Sequence, residues 1–301
     1  MVRKATGIMA IFDIRKITDR IKRQEKINIL AIVLTVVFFA AAFDVRLHIK
    51  HYEITTDQTA ETIRIALITD LHSCRYGEEE KKLIRAIDSR QPDLILFGGD
   101  ICDDILPDDN VESLLKGIAG RYPCYYVTGN HEYWSGRIDD ILELFRSCHV
   151  TVLNGSCDTI KIGEQTVTIC GITDPDATVY TGSPDTKTQL DSLSFGHDPD
   201  RYTLLLAHRP ELIGLYLQYD FDLILSGHTH GGQWRLPGIV NGLYAPNQGW
   251  FPRYAGGMYV KDNRVMIVSR GLARESTKVP RIFNRPELVI VTITPPAEQD
   301  V

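Results

Sequence analysis

Five short runs in this chain set metal-compatible side chains directly after apolar stretches: Asp70-Leu71-His72, Gly99-Asp100, Gly129-Asn130-His131-Glu132, Ala207-His208 and Gly227-His228-Thr229-His230. Carboxylate, amide and imidazole donors in one set suit Mn, Fe or Zn better than Mg or Ca, which prefer all-oxygen shells. Two such ions about 3.5–4 Å apart clamp a phosphate and generate a hydroxide nucleophile at neutral pH. Asp100 is the natural bridge, because its two oxygens can each face one ion. Glycines before Asp100, Asn130 and His228 allow tight turns and close backbone approach. Taken singly, each run is weak, since a D-x-H is commonly a surface turn and a strand-end His a satisfied polar residue. The weight lies in the ordered set, in which every run follows an apolar strand.

These side chains act together only if the fold brings five strand ends to one edge. Apolar runs at 62–70, 93–100 and 124–130 alternate with helical patterns at 78–89, 111–119 and 138–147, the signature of parallel βαβ units. The second half opens with short strands broken at Asn154-Gly155 and Gly163, an antiparallel pattern. Runs at 202–208 and 221–228 then repeat the strand with a polar end, and three closing strands follow: GMYVKD, RVMIVSRG and ELVIVTIT. This order predicts an α/β fold of two mixed β-sheets packed as a sandwich and flanked by helices. In open α/β sheets ligands gather outside the carboxyl ends of the strands, which is where the five runs stand.

Other segments carry weaker signals. The polar stretch 172–201 reads as a long surface loop with room for a short helix, a lid over substrate, with Asp174 and Asp176 as solvated turn residues. The stretch 243–257 reads as an ordered loop near the site, with Trp250, Phe251 and Tyr254 either facing substrate or packing on the sheet. His149 and His197 read as structural or exposed, and His48 and His51 as solvated. None of the six cysteines forms a CxxC pair, which argues against a structural zinc knuckle; Cys74 and Cys102 read as buried thiols rather than ligands. An even count permits disulfides outside the cytoplasm without establishing them.

The chain has 301 residues, 44% of them hydrophobic, and a formal net charge of −6. Residues 1–26 hold eight basic and three acidic side chains, so the remainder is strongly acidic. An acidic body is a poor partner for a nucleic-acid backbone, and no long nucleic acid is expected as substrate. Residues 27–43, INILAIVLTVVFFAAAF, carry no charge and read as a transmembrane anchor at the short end of spanning length. The basic segment before it predicts a single-pass protein of the cell membrane with its catalytic domain outside the cytoplasm. Ala40-Ala41-Ala42 also suits a signal-peptide cleavage site, but the long leading segment favours an uncleaved anchor. Residues 44–61 then read as a tether and 62–296 as the catalytic domain.

The set D-x-H, G-D-x-x-D, G-N-H-E, H and G-H-x-H, spread over about Thr62 to Thr294, resembles the calcineurin-like metallophosphoesterase superfamily. The phrases GHTHGGQW and SRGLARES resemble a bacterial membrane-associated branch, some members of which hydrolyse the pyrophosphate of UDP-2,3-diacylglucosamine. The resemblance implies that Asp70, His72 and His230 hold one divalent ion, that Asn130, His208 and His228 hold the other, and that Asp100 bridges. It implies that His131 stabilises charge on the reacting phosphoryl group or protonates the leaving oxygen, and that Asp103 and Glu132 orient ligands from behind. Arg209 is left open between substrate contact and a surface role. The activity implied is hydrolysis of a phosphoester or pyrophosphate, on a small or lipid-linked substrate, with no obligate protein partner. A soluble nucleotide phosphodiesterase and a non-catalytic metal-binding membrane scaffold are the alternatives. A metallo-β-lactamase fold would need an H-x-H-x-D-H run, whereas His230 is followed by Gly231-Gly232-Gln233.

Overall fold

Residues that alternate between two apolar surfaces make strands, and strands buried on both faces need a layer on each side. The computed structural model shows this arrangement; it describes residues 3–193, 201–262, 264–274, 276 and 278–296. The chain divides into two units, residues 1–44 and 45–301.

The first unit is a single helix, α1 (Arg3–Ala42). Its portion Lys16–Ala42 is 27 residues long and apolar enough to cross a membrane. At about 1.5 Å per residue it exceeds the roughly 30 Å hydrocarbon core of a bilayer. The basic segment and the apolar segment, read separately from the sequence, run here as one helix.

The second unit contains two six-stranded sheets. The strands in chain order are β1 (His48–Thr55), β2 (Ile63–Ile68), β3 (Leu94–Gly98), β4 (Cys124–Val127), β5 (Thr151–Val152), β6 (Ser156–Ile162), β7 (Gln165–Gly171), β8 (Arg201–Leu206), β9 (Leu223–Ser226), β10 (Tyr244–Ala245), β11 (Gly249–Trp250), β12 (Gly257–Lys261), β13 (Arg264–Val268) and β14 (Glu287–Thr294). One sheet has the order β1-β14-β2-β3-β4-β5, the other β12-β13-β9-β8-β7-β6, and β10 pairs only with β11. Both six-stranded sheets are mixed: β14 runs antiparallel to β2, while β2, β3 and β4 are parallel. In the second sheet β7, β8 and β9 are parallel and β6 is antiparallel to β7.

Alternation decides which side chain joins which layer. Ile65 and Leu67 of β2 meet Leu204, Leu206 and Leu225 between the sheets. Ala66 and Ile68 turn outward instead, with Leu83 and Ile87 of α2 (Lys81–Asp88), Leu114 and Leu115 of α3 (Asp109–Ile118), and Phe145. Three short helices, α4 (Asn130–Trp134), α5 (Ile138–Ser147) and α6 (Asp176–Thr181), follow, with Phe145 on α5. Leu190 of α7 (Thr186–Ser192) and Ile213 and Tyr216 of α8 (Ile213–Tyr216) cover the outer face of the second sheet. The result is the expected sandwich with helices on both outer faces.

Two expectations are corrected. The segment read as a tether contains β1, which lies parallel to β14 from His48↔Glu287 to Thr55↔Thr294. Tyr52 and Ile54 are buried while His51, Glu53 and Thr55 are exposed, a period-two pattern with charges on an edge strand. The polar stretch after residue 171, expected as a surface loop with room for one short helix, holds two helices, α6 and α7. His197 lies outside the described residues.

Candidate metal centre

The carboxyl ends of β2, β3, β4, β8 and β9 release Asp70, Asp100, Asn130, His208 and His228 respectively, so parallel pairing puts them at one edge. The pairing continues into the loops: the Asp70 N–H donates to the Gly99 carbonyl and the His72 N–H to the Asp100 carbonyl, both at 3.0 Å. The backbone is then forced into an uncommon conformation. Asp70, His72, Asp100, His228 and His230 all have positive φ, between 47° and 70°. Non-glycine residues in that region carry strain, and such strain concentrates at functional sites. Two glycines make room. A Cβ on Gly129 would stand 2.2 Å from Asp100 Oδ1, and Gly99, at φ 88°, would bring one to 2.6 Å from His208 Nδ1.

Two groups of possible ligand atoms share Asp100: Asp70, His72, Asp100 and His230, and Asp100, His208 and His228, with the atoms within 4.8 Å of one another in each group. Asp100 Oδ2 lies 3.1 Å from His208 Nε2 and 3.7 Å from His72 Nε2, between the two halves. His72 Nε2 and His230 Nε2 are 3.1 Å apart, and His230 Nε2 is 3.4 Å from Asp70 Oδ1. Asp70 Oδ2, Asn130 Oδ1 and His228 Nδ1 are buried with no hydrogen-bond partner; His208 Nε2 faces Asp100 without a well-formed bond. Buried polar atoms are normally satisfied, so such orphans at one spot fit a pair of cations.

Opposite lone pairs are fixed from behind, as metal-ligating groups require. His208 Nδ1–H donates to the Gly98 carbonyl at 2.7 Å, leaving Nε2 to face the cluster. His72 Nδ1 meets Asp103 Oδ2 at 3.2 Å, and Asp103 Oδ1 accepts the Ile105 and Leu106 N–H groups. Asp70 Oδ1 accepts the His228 N–H at 2.8 Å and Asp100 Oδ1 the His131 N–H at 2.9 Å. Glu132 accepts four backbone N–H bonds, from Gly129, Asp100, Ile101 and Cys102, at 2.7–3.1 Å. It thereby ties the loop after β3 to the loop after β4.

Burial disfavours every charge here, and neighbouring charges decide the outcome. Burial raises Asp70, but the His230 hydrogen bond and charge bring it to about 2. Asp100 is likewise pushed up by burial and pulled well below the carboxylate range by His208. Burial lowers His208, yet Asp100 lifts it to about 10. His228 is driven well below its usual value by burial and then by His208, so it stays neutral. Burial and the charge of Asp100 push Glu132 up to about 7, against the pull of its backbone donors. Charged His208 thus balances the ionised carboxylates, and a cation would bind by displacing its proton.

His131 stands at the mouth of the cluster, its side chain 24% exposed, edge-on to His72 at 4.3 Å between ring centroids. Its Nδ1 is 2.7 Å from Asp104 Oδ1. Above it opens a cleft of about 800 Å³, walled by Ile105, Trp134, Trp234, Tyr244, Trp250 and Val279. Trp250 of β11 is 68% exposed and meets Tyr244 of β10 at 5.5 Å. Tyr254 instead packs on Tyr259 at 5.1 Å, and Phe251 is exposed.

All the site residues expected from the sequence fall in or against this cluster. Cys74 and Cys102 are buried free thiols outside the ligand groups, and His149 is exposed. Asp174 corrects the reading of a solvated turn: it is 1% exposed and holds Arg209, with Nε to Oδ2 at 2.5 Å and Nη2 to Oδ1 at 2.9 Å. Arg209 is buried, not a surface residue. Asp176 accepts from Trp134 Nε1 at 2.7 Å and lies 3.4 Å from Arg209. Two residues that the sequence does not single out also stand against the cluster: Asp104, which meets His131, and Asn247, whose Oδ1 is 2.9 Å from His228 Nε2. Asp104 adjoins Asp103 in the GDxxD run and was the available clue; Asn247 lies in a Gly- and Pro-rich loop with no spacing signal. Cys157 and Cys170, a cross-strand pair on β6 and β7, form a disulfide that the sequence only permitted.

Residues 63–232 match the family described as Calcineurin-like phosphoesterase, and the chain belongs to that family. It is 30% identical over 240 residues to an uncharacterised metallophosphoesterase of Bacillus subtilis (strain 168), covering 76% of this chain and 78% of that protein. It is 31% identical over 191 residues to an uncharacterised metallophosphoesterase of Helicobacter pylori (strain J99), covering 62% of this chain and 49% of that protein. A Bos taurus protein called a transmembrane protein with metallophosphoesterase domain is 29% identical over 227 residues, covering 70% of this chain and 49% of its own. The chain thus spans about half the length of several of the curated relatives it matches.

Proposed function

We propose that this protein is a metal-dependent phosphoester hydrolase acting on an amphiphilic phosphoester or pyrophosphate at a membrane surface. The observation that carries the hydrolase reading is the set of buried, unpartnered donor atoms around Asp100. Asp70, His72 and His230 would hold one divalent ion and Asn130, His208 and His228 the second, with Asp100 shared by both groups. Mn, Fe or Zn suits the mixed donor set. Such an ion pair, when bound, supplies a hydroxide nucleophile and neutralises phosphoryl charge. The chain's own residues do the rest. Asp103 and Glu132 hold the ligand-bearing loops rigid. Asp104 accepts from His131 Nδ1, which leaves Nε2 for the leaving-group oxygen. As the P–O ester bond breaks, that oxygen takes the Nε2 proton of the His131 imidazolium, water supplies the new oxygen on phosphorus, and the proton that water gives up restores the imidazolium.

The lipid-linked reading rests on the apolar, aromatic cleft continuous with the cluster and on a helix able to span a bilayer. The basic residues before the span and the Cys157–Cys170 disulfide both favour an extracytoplasmic domain. Two p-nitrophenyl diesters with the same leaving group test the substrate class, one carrying a hexadecyl chain and one a thymidine. The Mn-loaded full chain in detergent should prefer the hexadecyl ester in kcat/KM. Trp250→Ala should erase about tenfold of that preference, the scale of burying one large side chain. Preference for the thymidyl ester, untouched by Trp250→Ala, would replace this reading with a nucleotide phosphodiesterase.

A further inference from the structure

One polar chain behind the cluster is used by none of the roles above. Asn247 sits at the tip between β10 and β11, the hairpin whose Tyr244 and Trp250 wall the cleft. Its Oδ1 lies 2.9 Å from His228 Nε2 and 2.6 Å from Arg209 Nη1. One acceptor oxygen thus faces two donors, and His228 Nε2 is itself 3.2 Å from Arg209 Nη1. The amide oxygen carries no proton, so the 2.9 Å bond places one on His228 Nε2, while Arg209 Nη1, a donor only, is satisfied by the same oxygen at 2.6 Å. That leaves His228 Nδ1, which is buried and unpartnered, as the lone pair that faces the cluster. Arg209 is in turn clamped by both oxygens of buried Asp174, at the end of the chain leaving β7.

We infer that Asn247, backed by the Arg209–Asp174 pair, is a positioning residue that holds His228 in the metal-ligating orientation and couples the cleft's aromatic wall to the second metal position. The inference rests on the two-ion reading proposed above. The hairpin supplies the acceptor that fixes the outward nitrogen of the His228 ring. The same hairpin meets the apolar part of a substrate, so displacement of the wall also displaces the acceptor that holds His228. The backbone at Asn247 has φ 60°, a region that Asn and Gly adopt more readily than other residues. Gly is therefore the clean deletion of the amide, and Asp keeps an acceptor oxygen in place.

The test uses the full chain in detergent, stripped and titrated with Mn²⁺ by calorimetry, with bound metal counted after gel filtration. Wild type should retain two ions. Asn247→Gly should weaken one of them by about 10–100-fold, the usual cost of losing an outer partner of a ligating His, and leave the other unchanged. Asn247→Asp should restore most of the loss, and thermal unfolding of the metal-free variants should match wild type. Two ions bound by Asn247→Gly as tightly as by wild type would overturn the inference and leave the two-ion site standing. A wild type that binds no more than one ion would overturn the site itself, and the inference with it.

Discussion

Metal-dependent hydrolysis of bis(p-nitrophenyl) phosphate should fall by well over a hundredfold when Asp100 is replaced by Asn. Losing even an outer partner of a ligand costs about 10–100-fold in affinity or activity, and Asp100 is assigned to both ion positions at once. The substitution keeps shape and the Oδ1 that accepts the His131 N–H, so the fold should survive. It removes the charge that the cluster holds well below the ordinary carboxylate range, and with it the anion shared between the two halves. Bound Mn²⁺ should drop below two per chain while near-ultraviolet circular dichroism stays unchanged. Activity within about threefold of wild type would mean that the bridge is assigned to the wrong residue.

His131→Ala should show a different pattern. Metal content should stay at two per chain, because no ion position is assigned to His131. Turnover on an alkyl phosphodiester, whose leaving oxygen needs a proton, should fall by about 10²–10⁴-fold, the range for loss of a general acid. On a p-nitrophenyl ester the loss should be much smaller, since that leaving group departs as a stable anion. Asp104→Asn should follow the same leaving-group dependence with a smaller effect, because it weakens the bond to His131 Nδ1 without removing the ring. Equal losses on both esters would assign His131 to phosphoryl charge stabilisation rather than proton transfer.

The candidate site is legible in the sequence because its residues sit at strand ends. A run such as DLILFGGD shows its strand by unbroken apolar character and its candidate ligand by where that character stops. Parallel pairing then brings Asp70, Asp100 and Asn130 side by side without any long-range information. What stayed hidden lacks a local signal. The strand β1 is short, half polar, and owes its conformation to a partner near the other end of the chain. Asp174 and Arg209 each look like surface residues until the fold buries them together, and burial of an ion pair is a property of two positions, not of either. Asn247 is in the same position: an Asn in a turn is ordinary, and only the placement of His228 beneath it gives its amide a task.

The pairing of β1 with β14 bears on the order in which this protein is made. A chain synthesised from its amino terminus displays β1 soon after α1, but among the described residues its neighbour in the sheet is the last strand. Until residues 287–294 emerge, β14 cannot fill the gap between β1 and β2, and the first sheet lacks two of its six positions. The interior face that Tyr52, Ile54, Val289 and Val291 share stays open for the whole of synthesis. Contacts this distant in sequence are slow to form and leave unpaired strand edges exposed meanwhile. Truncation ahead of Glu287 should therefore yield an aggregation-prone product, with Tyr52 and Ile54 left without the strand that covers them.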